Sequence, residues 1–451
     1  MARGKKAAQG LTPEEKLAQA LVPVEKQPYQ IPENWCWVNG NVIFLPMETE
    51  KPKGDYFRYI DIDSIDNKRQ AVKEPKLMEV SKAPSRASRK LHSGDTIFSM
   101  VRPYLKNIAY IDDSISNSIA STGFYICTPC AALKPRYVYY MMTNPAVIDG
   151  LNSFMKGDNS PSIRKDDLEN FSYPVPPLAE QQRIVDRIES IFAKLDEAKE
   201  KAQAVVDGFE LRKSAILHKA FTGELTAKWR EEHKIEIADW KNYKIDECCK
   251  VGSCGTPSRK HPEYYEGSIP WIKTGEIDWN DILDAEEKIS DAAVQDSSAK
   301  IYEPGVVLVA MYGMGVTRGK AAILRVQAAT NQAVCVLQPK NDLLNRYLFY
   351  YFMYNYWNIR EKSVGGNQLN LSATIIKNFD ILIPSIDEQI EIIRILDGLL
   401  AKEKAAKEAA ESVLDQIDTM KKAVLARAFR GELGTNDPTE ESAVELLKSG
   451  L

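Results

Sequence analysis

Two stretches of the chain carry apolar residues at alternating steps of four and three, and this spacing predicts two long helices. The pattern runs from Ile184 to Phe209 and again from Ile392 to Val424, where only Glu403 breaks it. Such spacing lines one stripe of a helix with apolar side chains, as in the seam of a coiled coil. The expected seam residues are Ile184, Ile188, Ile191, Leu195, Val205, Phe209, Ile392, Leu396, Leu399, Val413, Ile417 and Val424.

The two predicted helices are copies of one another. Glu180-Gln181 recurs as Glu388-Gln389, and the sequence Ala-Phe-x-Gly-Glu-Leu that ends at Leu225 recurs ending at Leu433. The offset is 208 at both ends, and about 19 of the 46 aligned positions are identical. An offset that stays constant indicates a rigid element, because loops are where insertions are tolerated.

Prolines and glycines mark where these helices begin and end. Pro176 and Pro384 precede them, and Gly223 and Gly431 stand where glycines often terminate helices. Each helix is then roughly 40 residues, or about 60 Å long. The link after the first helix spans about ten residues, which reach at most about 35 Å. That is too short to return along the helix, so we expect the two helices to pair antiparallel.

The segments before the helices resemble each other less strictly and read as two mixed α/β globules. Thr96–Val101 and Gly305–Ala310 are predicted as buried strands. Residues 137–142 and 343–357 are predicted as helices, and the many aromatic residues of the second are expected in the core. The predicted segments are an N-terminal arm (1–29), a first globule (30–176), a first helix (177–225), a linker and second globule (226–384), a second helix (385–433) and a C-terminal tail (434–451). The tail is predicted to be helical near residues 442–448 and otherwise loose.

We therefore expect an α/β (α+β) fold of two similar mixed domains, separated by two long antiparallel coiled-coil helices with an internal pseudo-two-fold repeat. Composition is compatible with this, since 44% of the 451 residues are apolar and 27% charged. No apolar run is long enough for a membrane span, no signal peptide is evident, and seven cysteines suit reduced thiols. These features favour a cytoplasmic protein.

The catalytic and metal-binding motifs that the sequence suggests are incomplete. The segment from Gly313 to Lys320 resembles a phosphate-binding loop, but it has the wrong spacing and lacks the Ser or Thr after the lysine. The pair Cys127 and Cys130 has no second pair at the spacing of a zinc site. We expect no catalytic residue and no metal site in this chain.

Basic and amide-bearing loops recur at matching places in both globules, although the net charge of the chain is −4. Arg, Lys, Asn and Gln are the residues that bind phosphates and read base edges, so these loops predict DNA contacts. The candidates in the first globule are Arg86, Arg89, Lys90, Arg102, Lys106 and Asn159. Those in the second are Ser253, Thr256, Ser258, Arg259, Lys260, Thr317, Arg318, Lys320, Asn367 and Gln368.

The repeated Pro-x-x-x-Glu-Gln starts and the helices ending Ala-Phe-x-Gly-Glu-Leu resemble the specificity subunit of type I restriction–modification systems. So do the segment from Gly252 to Lys260 and the segment Gly365–Leu371. The resemblance covers about residues 30–433. The first globule departs from it, because it lacks the Gly-Thr-Pro-Ser-Arg and Gly-Gly-Asn-Gln loops.

The resemblance implies that each globule is a target recognition domain for one half of a bipartite, asymmetric site in double-stranded DNA. The helices would act as a ruler, and about 60 Å is at most roughly 18 base pairs. Their seam region would dock two modification (methyltransferase) subunits, and motor-nuclease restriction subunits would complete an ATP-dependent endonuclease. Adenine methylation with S-adenosylmethionine, and the chemistry of ATP and Mg, would belong to those subunits. This chain would be non-catalytic and hold no cofactor.

Two other classes of protein stay open from the sequence. One is a self-contained DNA methyltransferase or nuclease with diverged motifs, which would act on DNA without partners. The other is a duplicated scaffold with no DNA role, in which reversing the loop charges would have no effect.

Overall fold

The computed structural model of the chain describes residues 13–313, 315–340, 342–363 and 370–450. These residues form two compact units. The first unit takes the described residues of Met1–Ala202 and Ser412–Leu451, and the second takes those of Gln203–Glu411. Each unit therefore contains the beginning of one long helix and the end of the other.

The first unit surrounds its strands with short helices. Its helices outside the long pair are Pro13–Ala20, Gly40–Ile43, Pro135–Thr143, Pro145–Asn152, Lys165–Glu169 and Ala443–Gly450. Its strands are Cys36–Asn39, Tyr56–Ile60, Ile65–Asp66, Ala71–Val72, Lys76–Glu79, Ala87–Lys90, Thr96–Ser99, Ile108–Tyr110, Ile119–Ser121, Phe124–Cys127 and Ser172–Val175.

The second unit resembles the first in its elements, except that one helix, Asp291–Gln295, lies among its strands. Its helices outside the long pair are Ala227–His233, Ile245–Cys248, Asp291–Gln295, Asn345–Tyr354, Tyr356–Glu361 and Ala373–Lys377. Its strands are Lys241–Lys244, Cys249–Ser253, Ile269–Ile272, Asp281–Ile282, Lys288–Ile289, Ile301–Tyr302, Val307–Ala310, Ala321–Leu324, Ala328–Thr330, Val334–Pro339 and Asp380–Ile383.

Corresponding strands occupy corresponding places in the two units. Thr96–Ser99 lies between two antiparallel neighbours, and Val307–Ala310 does the same in a wider sheet of five strands. Each unit also has a four-stranded sheet with one parallel pair at its centre. A two-stranded antiparallel sheet closes each unit, pairing Cys36–Asn39 with Ser172–Val175 in the first.

The first long helix comprises Leu178–Asp207 and Phe209–Phe221, with a turn at Gly208, and the second is Ile386–Ala428. Within the first unit, Lys199 pairs with Asp418 at 3.4 Å and Asp196 pairs with Lys421. Numbers rise along one helix while they fall along the other, so the helices are antiparallel there.

The second unit shows the same direction of pairing. The Arg212 Nε lies 2.7 Å from Glu403 Oε2, and the Lys407 Nζ lies 5.0 Å from the centre of the Phe209 ring. The prediction of two mixed α/β domains with long antiparallel helices is confirmed. The exact domain boundaries stay predictions, although both long helices lie within their predicted segments.

The repeated Glu-Gln pair joins each long helix to its globule. Gln181 accepts a hydrogen bond from the Lys134 N–H at 2.7 Å and donates one to the Ala132 carbonyl at 2.9 Å. Gln389 makes the equivalent bonds in the second unit, with an N–H and a carbonyl of the turn before the aromatic helix. Buried amides need such partners, so the repeat of the glutamine has a structural cause.

The glutamate before each glutamine is fully buried and is held by a tryptophan. The indole N–H of Trp35 donates to Glu180 at 2.7 Å, and that of Trp240 donates to Glu388 at 2.9 Å. A buried carboxylate is tolerated only with several donors, so these bonds fix the start of each long helix.

The phenylalanine of each repeated Ala-Phe-x-Gly-Glu-Leu motif is a core residue. Phe221 packs on Tyr347 with ring centres 5.1 Å apart, and Phe429 packs on Tyr137 at 5.3 Å. Gly223 follows in a left-handed conformation with φ +79°, as the predicted helix end requires. The end of each long helix is thereby buried in the core of its unit.

The C-terminal tail contains the helix predicted there, at Ala443–Gly450, and the residues before it are bound to the first unit rather than loose. The Arg183 guanidinium binds both carboxylate oxygens of Glu440 at 2.8 Å, and its Nε donates to the Thr435 carbonyl. Leu447 is fully buried and packs with Leu17 of the N-terminal helix in the core of the first unit. The few apolar residues of each terminal segment are thus enough to dock them together.

Among the described residues, no helix combines the length and the apolar character that crossing a bilayer requires.

Candidate nucleic-acid interface

Each unit projects one loop from the end of its central strand. In the first unit this loop, residues 100–107, joins Thr96–Ser99 to Ile108–Tyr110. In the second unit it spans residues 311–320 and joins Val307–Ala310 to Ala321–Leu324, with residue 314 outside the described part. We call these the hairpin loops of the two units.

The hairpin loop of the first unit lies between two other turns. Met100 donates its N–H to the Gly123 carbonyl at 2.9 Å and accepts from the Ile163 N–H at 2.9 Å. Arg102 donates its own N–H to the Pro161 carbonyl. Thr122, in the same turn as Gly123, donates its N–H to the Arg86 carbonyl at 2.8 Å. Three turns therefore share one edge of the unit.

The second unit builds the same arrangement. Met311 donates its N–H to the Ala333 carbonyl at 2.9 Å and accepts from the Leu371 N–H at 2.9 Å. The predicted contact residues Asn367 and Gln368 belong to the segment before Leu371 and lie outside the described residues. The backbone frame is thus common to both units, while the residues on it differ.

The basic residues of the first unit split into exposed and paired ones. Arg86 is exposed, and Lys106 is half-buried; within the described part of the chain neither side chain forms an ion pair. Arg89 is half-buried. Lys90 binds Glu48 at 2.7 Å, and this hydrogen bond lowers the pKa of the Glu48 carboxyl. Arg86 and Lys106 are consequently better placed for phosphate than Lys90.

Arg102 and Lys106 both adopt left-handed backbone conformations, with φ +49° and +58°. They flank a short turn, Pro103–Leu105, whose tip exposes 44% of Tyr104 and 39% of Leu105. The Arg102 guanidinium donates to the carbonyl of Asn159 at 2.7 Å, which joins the hairpin loop to the neighbouring turn. Left-handed non-glycine residues are strained and concentrate at functional sites.

The predicted loop 253–260 of the second unit is exposed at its hydroxyl-bearing residues. Ser253, Thr256, Ser258 and Lys260 all present their side chains to solvent. Arg259, however, binds Glu287 at 2.6 Å and lies 3.9 Å from the centre of the Tyr265 ring. Its charge is therefore partly committed to the fold.

The hairpin loop of the second unit also holds paired and half-buried cations. Lys320 forms an ion pair with Asp278 and is largely buried. Thr317 and Arg318 are half-buried, and burial together with the nearby Arg360 lowers the pKa of the Arg318 guanidinium. Two arginines side by side create a concentrated positive charge that suits a phosphate-bearing ligand.

Sequence reasoning missed Tyr356, Trp357 and Arg360, which lie on the helix Tyr356–Glu361. That helix packs beside the hairpin loop of the second unit, and 66% of Trp357 is exposed. The aromatic run was assigned to the core, which is correct for Tyr347. The sign that this run changes role was the arginine three residues after Trp357.

Most of the predicted seam residues are buried or half-buried in their units. Ile184, Ile188, Ile392, Leu396 and Ile417 are buried, and Ile191, Leu195, Val205, Phe209, Leu399 and Val424 are half-buried. Val413 is exposed. Among the described residues, no cluster of His, Cys, Asp and Glu could hold a metal ion.

The family model described as the type I restriction modification DNA specificity domain matches residues 40–206 and 237–412. It therefore matches each globule together with the first part of the long helix that follows. The chain belongs to the specificity-subunit family of type I restriction–modification systems. Its role is DNA recognition. Members of this family are recognition subunits, which act together with other subunits of such systems.

Curated specificity subunits are similar over 41% to 67% of the chain. The StySPI specificity subunit of Salmonella potsdam is 22% identical over 321 residues, which cover 67% of this chain and 68% of that protein. The EcoKI specificity subunit of Escherichia coli K12 is 23% identical over the same shares. The MjaIX specificity subunit of Methanocaldococcus jannaschii is 29% identical, over 41% of this chain and 45% of that protein.

Two solved structures have the same fold. The HsdS subunit from Thermoanaerobacter tengcongensis is 25% identical with a TM-score of 0.68, over 91% of this chain and all of that chain. A chain from a study of complex assembly and conformational transition of the type I R-M system is 24% identical with a TM-score of 0.74, over 90% and 100%.

Proposed function

We propose that each unit of this specificity subunit reads one half of a bipartite DNA site through its hairpin loop. One observation carries the proposal. The two loops are held by the same pattern of backbone hydrogen bonds, made by Met100 in one unit and by Met311 in the other. Their side chains differ. A shared frame with different contact residues is what reading two unlike half-sites requires.

The charges at the two loops support contact with DNA rather than with protein. Arg86, Arg102 and Lys106 share one edge of the first unit, and Arg318 and Arg360 share one edge of the second. Exposed arginines contact phosphates and guanine edges, while the exposed Tyr104 and Leu105 can pack on bases or thymine methyl groups.

The long helices are proposed as the spacer and as the docking surface for two modification subunits. Each of the two antiparallel helices begins with the same Glu-Gln pair, so each would present the same residues at its start. The modification subunits would carry S-adenosylmethionine and methylate adenine, and restriction subunits would supply ATP- and Mg-dependent cleavage. This chain would then direct both activities without catalysing either.

The test is methylation mapping of a host that expresses this chain together with its modification subunits. We expect a split motif, with two short defined halves around a fixed undefined gap. Replacing residues 241–383 by the equivalent stretch of a relative should change one half and leave the other intact. A motif that changes in both halves, or in neither, would contradict the division of labour.

A charge test addresses the first unit directly. Arg86→Ala should weaken binding of the complex to its target and lower the slope of log affinity against log salt by about 1. Lys26→Ala removes an exposed charge outside the two loops and serves as the matched control. If both changes have the same effect, Arg86 does not contact DNA.

A further inference from the structure

The helix Tyr356–Glu361 is bound to the hairpin loop of the second unit by side-chain hydrogen bonds. Arg360 donates through Nη1 to the Arg318 carbonyl and through Nη2 to the Gly315 carbonyl, both at 2.6 Å. The Tyr356 hydroxyl donates to the Val316 carbonyl. One guanidinium therefore bridges two carbonyls that stand three residues apart.

The loop needs such a bridge because its own sequence is flexible. Gly315 and Gly319 adopt left-handed conformations, with φ +61° and +88°. Glycine enters these conformations freely, but it also leaves them freely, so ordering them costs more entropy than ordering other residues. The planar guanidinium of Arg360 has donors in fixed directions, so it restricts both carbonyls at once.

Arg360 is held between the two loop carbonyls and the rings of Tyr356 and Trp357. Arg360 forms no ion pair with a carboxylate within the described residues, and it lies 5.2 Å from the centre of the Tyr356 ring. Its positive charge acts on Arg318, which is itself partly desolvated. Two arginines side by side concentrate positive potential at this loop, which favours a negatively charged ligand.

We propose that Arg360 is a positioning residue that holds the hairpin loop of the second unit in the conformation that reads DNA. Tyr356 supports it through the Val316 carbonyl. The inference rests on the proposed function and extends it, since it identifies the residue that gives a glycine-rich loop its specificity. Arg360 acts through the loop backbone and need not touch DNA.

The experiment uses the full chain assembled with its modification subunits. Arg360→Gln should weaken binding to the target about tenfold, the loss expected for hydrogen bonds to a charged donor. The methylated motif should become degenerate only in the half that the second unit reads. Arg360→Lys should restore little, because an ammonium is a point charge that cannot bridge the two carbonyls. Thermal unfolding shows whether the variants are folded.

Two further measurements separate positioning from direct contact. If Arg360 only positions the loop, Arg360→Gln leaves the salt slope of binding unchanged, whereas loss of a phosphate contact lowers it by about 1. Gly315→Asn should also rescue Arg360→Gln in part. Asparagine tolerates the left-handed conformation, and a Cβ at Gly315 meets no atom of the described residues within 4 Å beyond its chain neighbours. A lowered slope without rescue would overturn the proposal.

Tyr356→Phe provides an independent check if Arg360→Gln is unstable. It removes a single hydroxyl, so the same half of the motif should degenerate more weakly than in Arg360→Gln. An unaltered motif in both variants would refute the positioning role even while the exchange of residues 241–383 still changes that half. Failure of that exchange would instead refute the proposed function.

Discussion

The two units bury the same glutamate beside the same tryptophan, but they complete its hydrogen bonds from different parts of the chain. Glu388 is bound by Arg230 at 2.6 Å and by Thr226 at 2.7 Å, both in the segment after the first long helix. Glu180 is bound by Asn436 at 2.8 Å and by Thr435 at 3.3 Å, both in the C-terminal tail.

The two copies therefore share the need for hydrogen-bond donors to a buried glutamate, but they do not share the residues that supply them. A buried carboxylate must be matched by donors, and either an arginine or a group of neutral donors can meet that need. The segment after each long helix performs this task in both units. The two solutions differ in charge, however, and so they should differ in how costly they are to break.

The largest effect is expected from Arg230→Met. This change leaves the fully buried Glu388 without its charged partner, which costs about 3–5 kcal/mol. Hydrogen exchange resolved along the chain should show the loss in the second unit. Asn436→Ala is the matched change at Glu180, and removal of a neutral donor should cost only about 1–2 kcal/mol in the first unit. Equal losses would mean that the charge of Arg230 is immaterial.

A smaller effect is expected from Leu447→Ala, which tests whether the tail belongs to the first unit. Leu447 is fully buried against the core that also contains Leu17. Removing its side chain should cost about 2–3 kcal/mol, toward the low end for leucine because a terminal helix can relax. Faster exchange should appear in the first unit, while Leu446→Ala, at a half-buried position, should cost less. An unchanged first unit would show that the tail is dispensable.

The hairpin loops give a second comparison between the units. At left-handed positions the second unit uses glycines such as Gly315, whereas the first unit uses Arg102 and Lys106. Glycine meets no steric penalty there, but a residue with a Cβ stores strain of about 1–2 kcal/mol. The loop of the first unit thus carries charged side chains at strained backbone positions.

Gly315→Ala should therefore destabilise the second unit by about 1–2 kcal/mol through backbone strain alone. Apart from the chain neighbours, no atom of the described residues lies within 4 Å of the added Cβ, so a steric clash with them does not contribute. Urea unfolding followed in the second unit measures the loss. Gly275→Ala is the control, because its φ is not left-handed and its Cβ is equally free. If both changes cost the same, the conformation of Gly315 is not the cause.

The converse change is Arg102→Gly, compared with Arg102→Ala. Both variants lose the bond to the Asn159 carbonyl, but only glycine relieves the strain. Arg102→Gly should be about 1 kcal/mol more stable than Arg102→Ala, although both should bind target DNA more weakly. Equilibrium unfolding of the pair measures the difference. Equal stability would show that the left-handed backbone at Arg102 is not strained.

The sequence was sufficient to predict the parts of the fold that repeat. The constant offset of 208 located both long helices, and the Glu-Gln and Ala-Phe-x-Gly-Glu-Leu motifs proved to be the contacts that join them to the globules. Those contacts are common to both copies because each unit needs them. Repetition therefore carried the structural information.

The parts that could not be predicted lie where the copies differ. The left-handed conformation of Arg102 has no signal in the sequence, since glycine is the residue that usually indicates this conformation. Arg360 acts on carbonyls some 40 residues away, and its helix continues an aromatic run that is otherwise core. The DNA-contact residues are still predictions for the same reason, because the loops of the two globules carry different side chains.

The smallest effect is expected where the seam itself differs between the copies. Glu403 interrupts the apolar pattern, and Arg212 binds it at 2.7 Å while donating also to the Val205 carbonyl at 2.9 Å. An offset of 208 relates Glu403 to Leu195 and Arg212 to Met420. The first unit therefore carries apolar residues at the equivalent places.

Replacing both partners, as Arg212→Met with Glu403→Leu, should change stability by less than about 1 kcal/mol, because a half-exposed ion pair contributes little beyond an apolar pair. Either single change should cost more, since it leaves one charge without its partner on the seam. A double-mutant cycle followed by urea unfolding gives the coupling between the two residues. A double variant that is much less stable than both singles would mean that the pair sets the register of the helices, as single polar seam residues do in coiled coils.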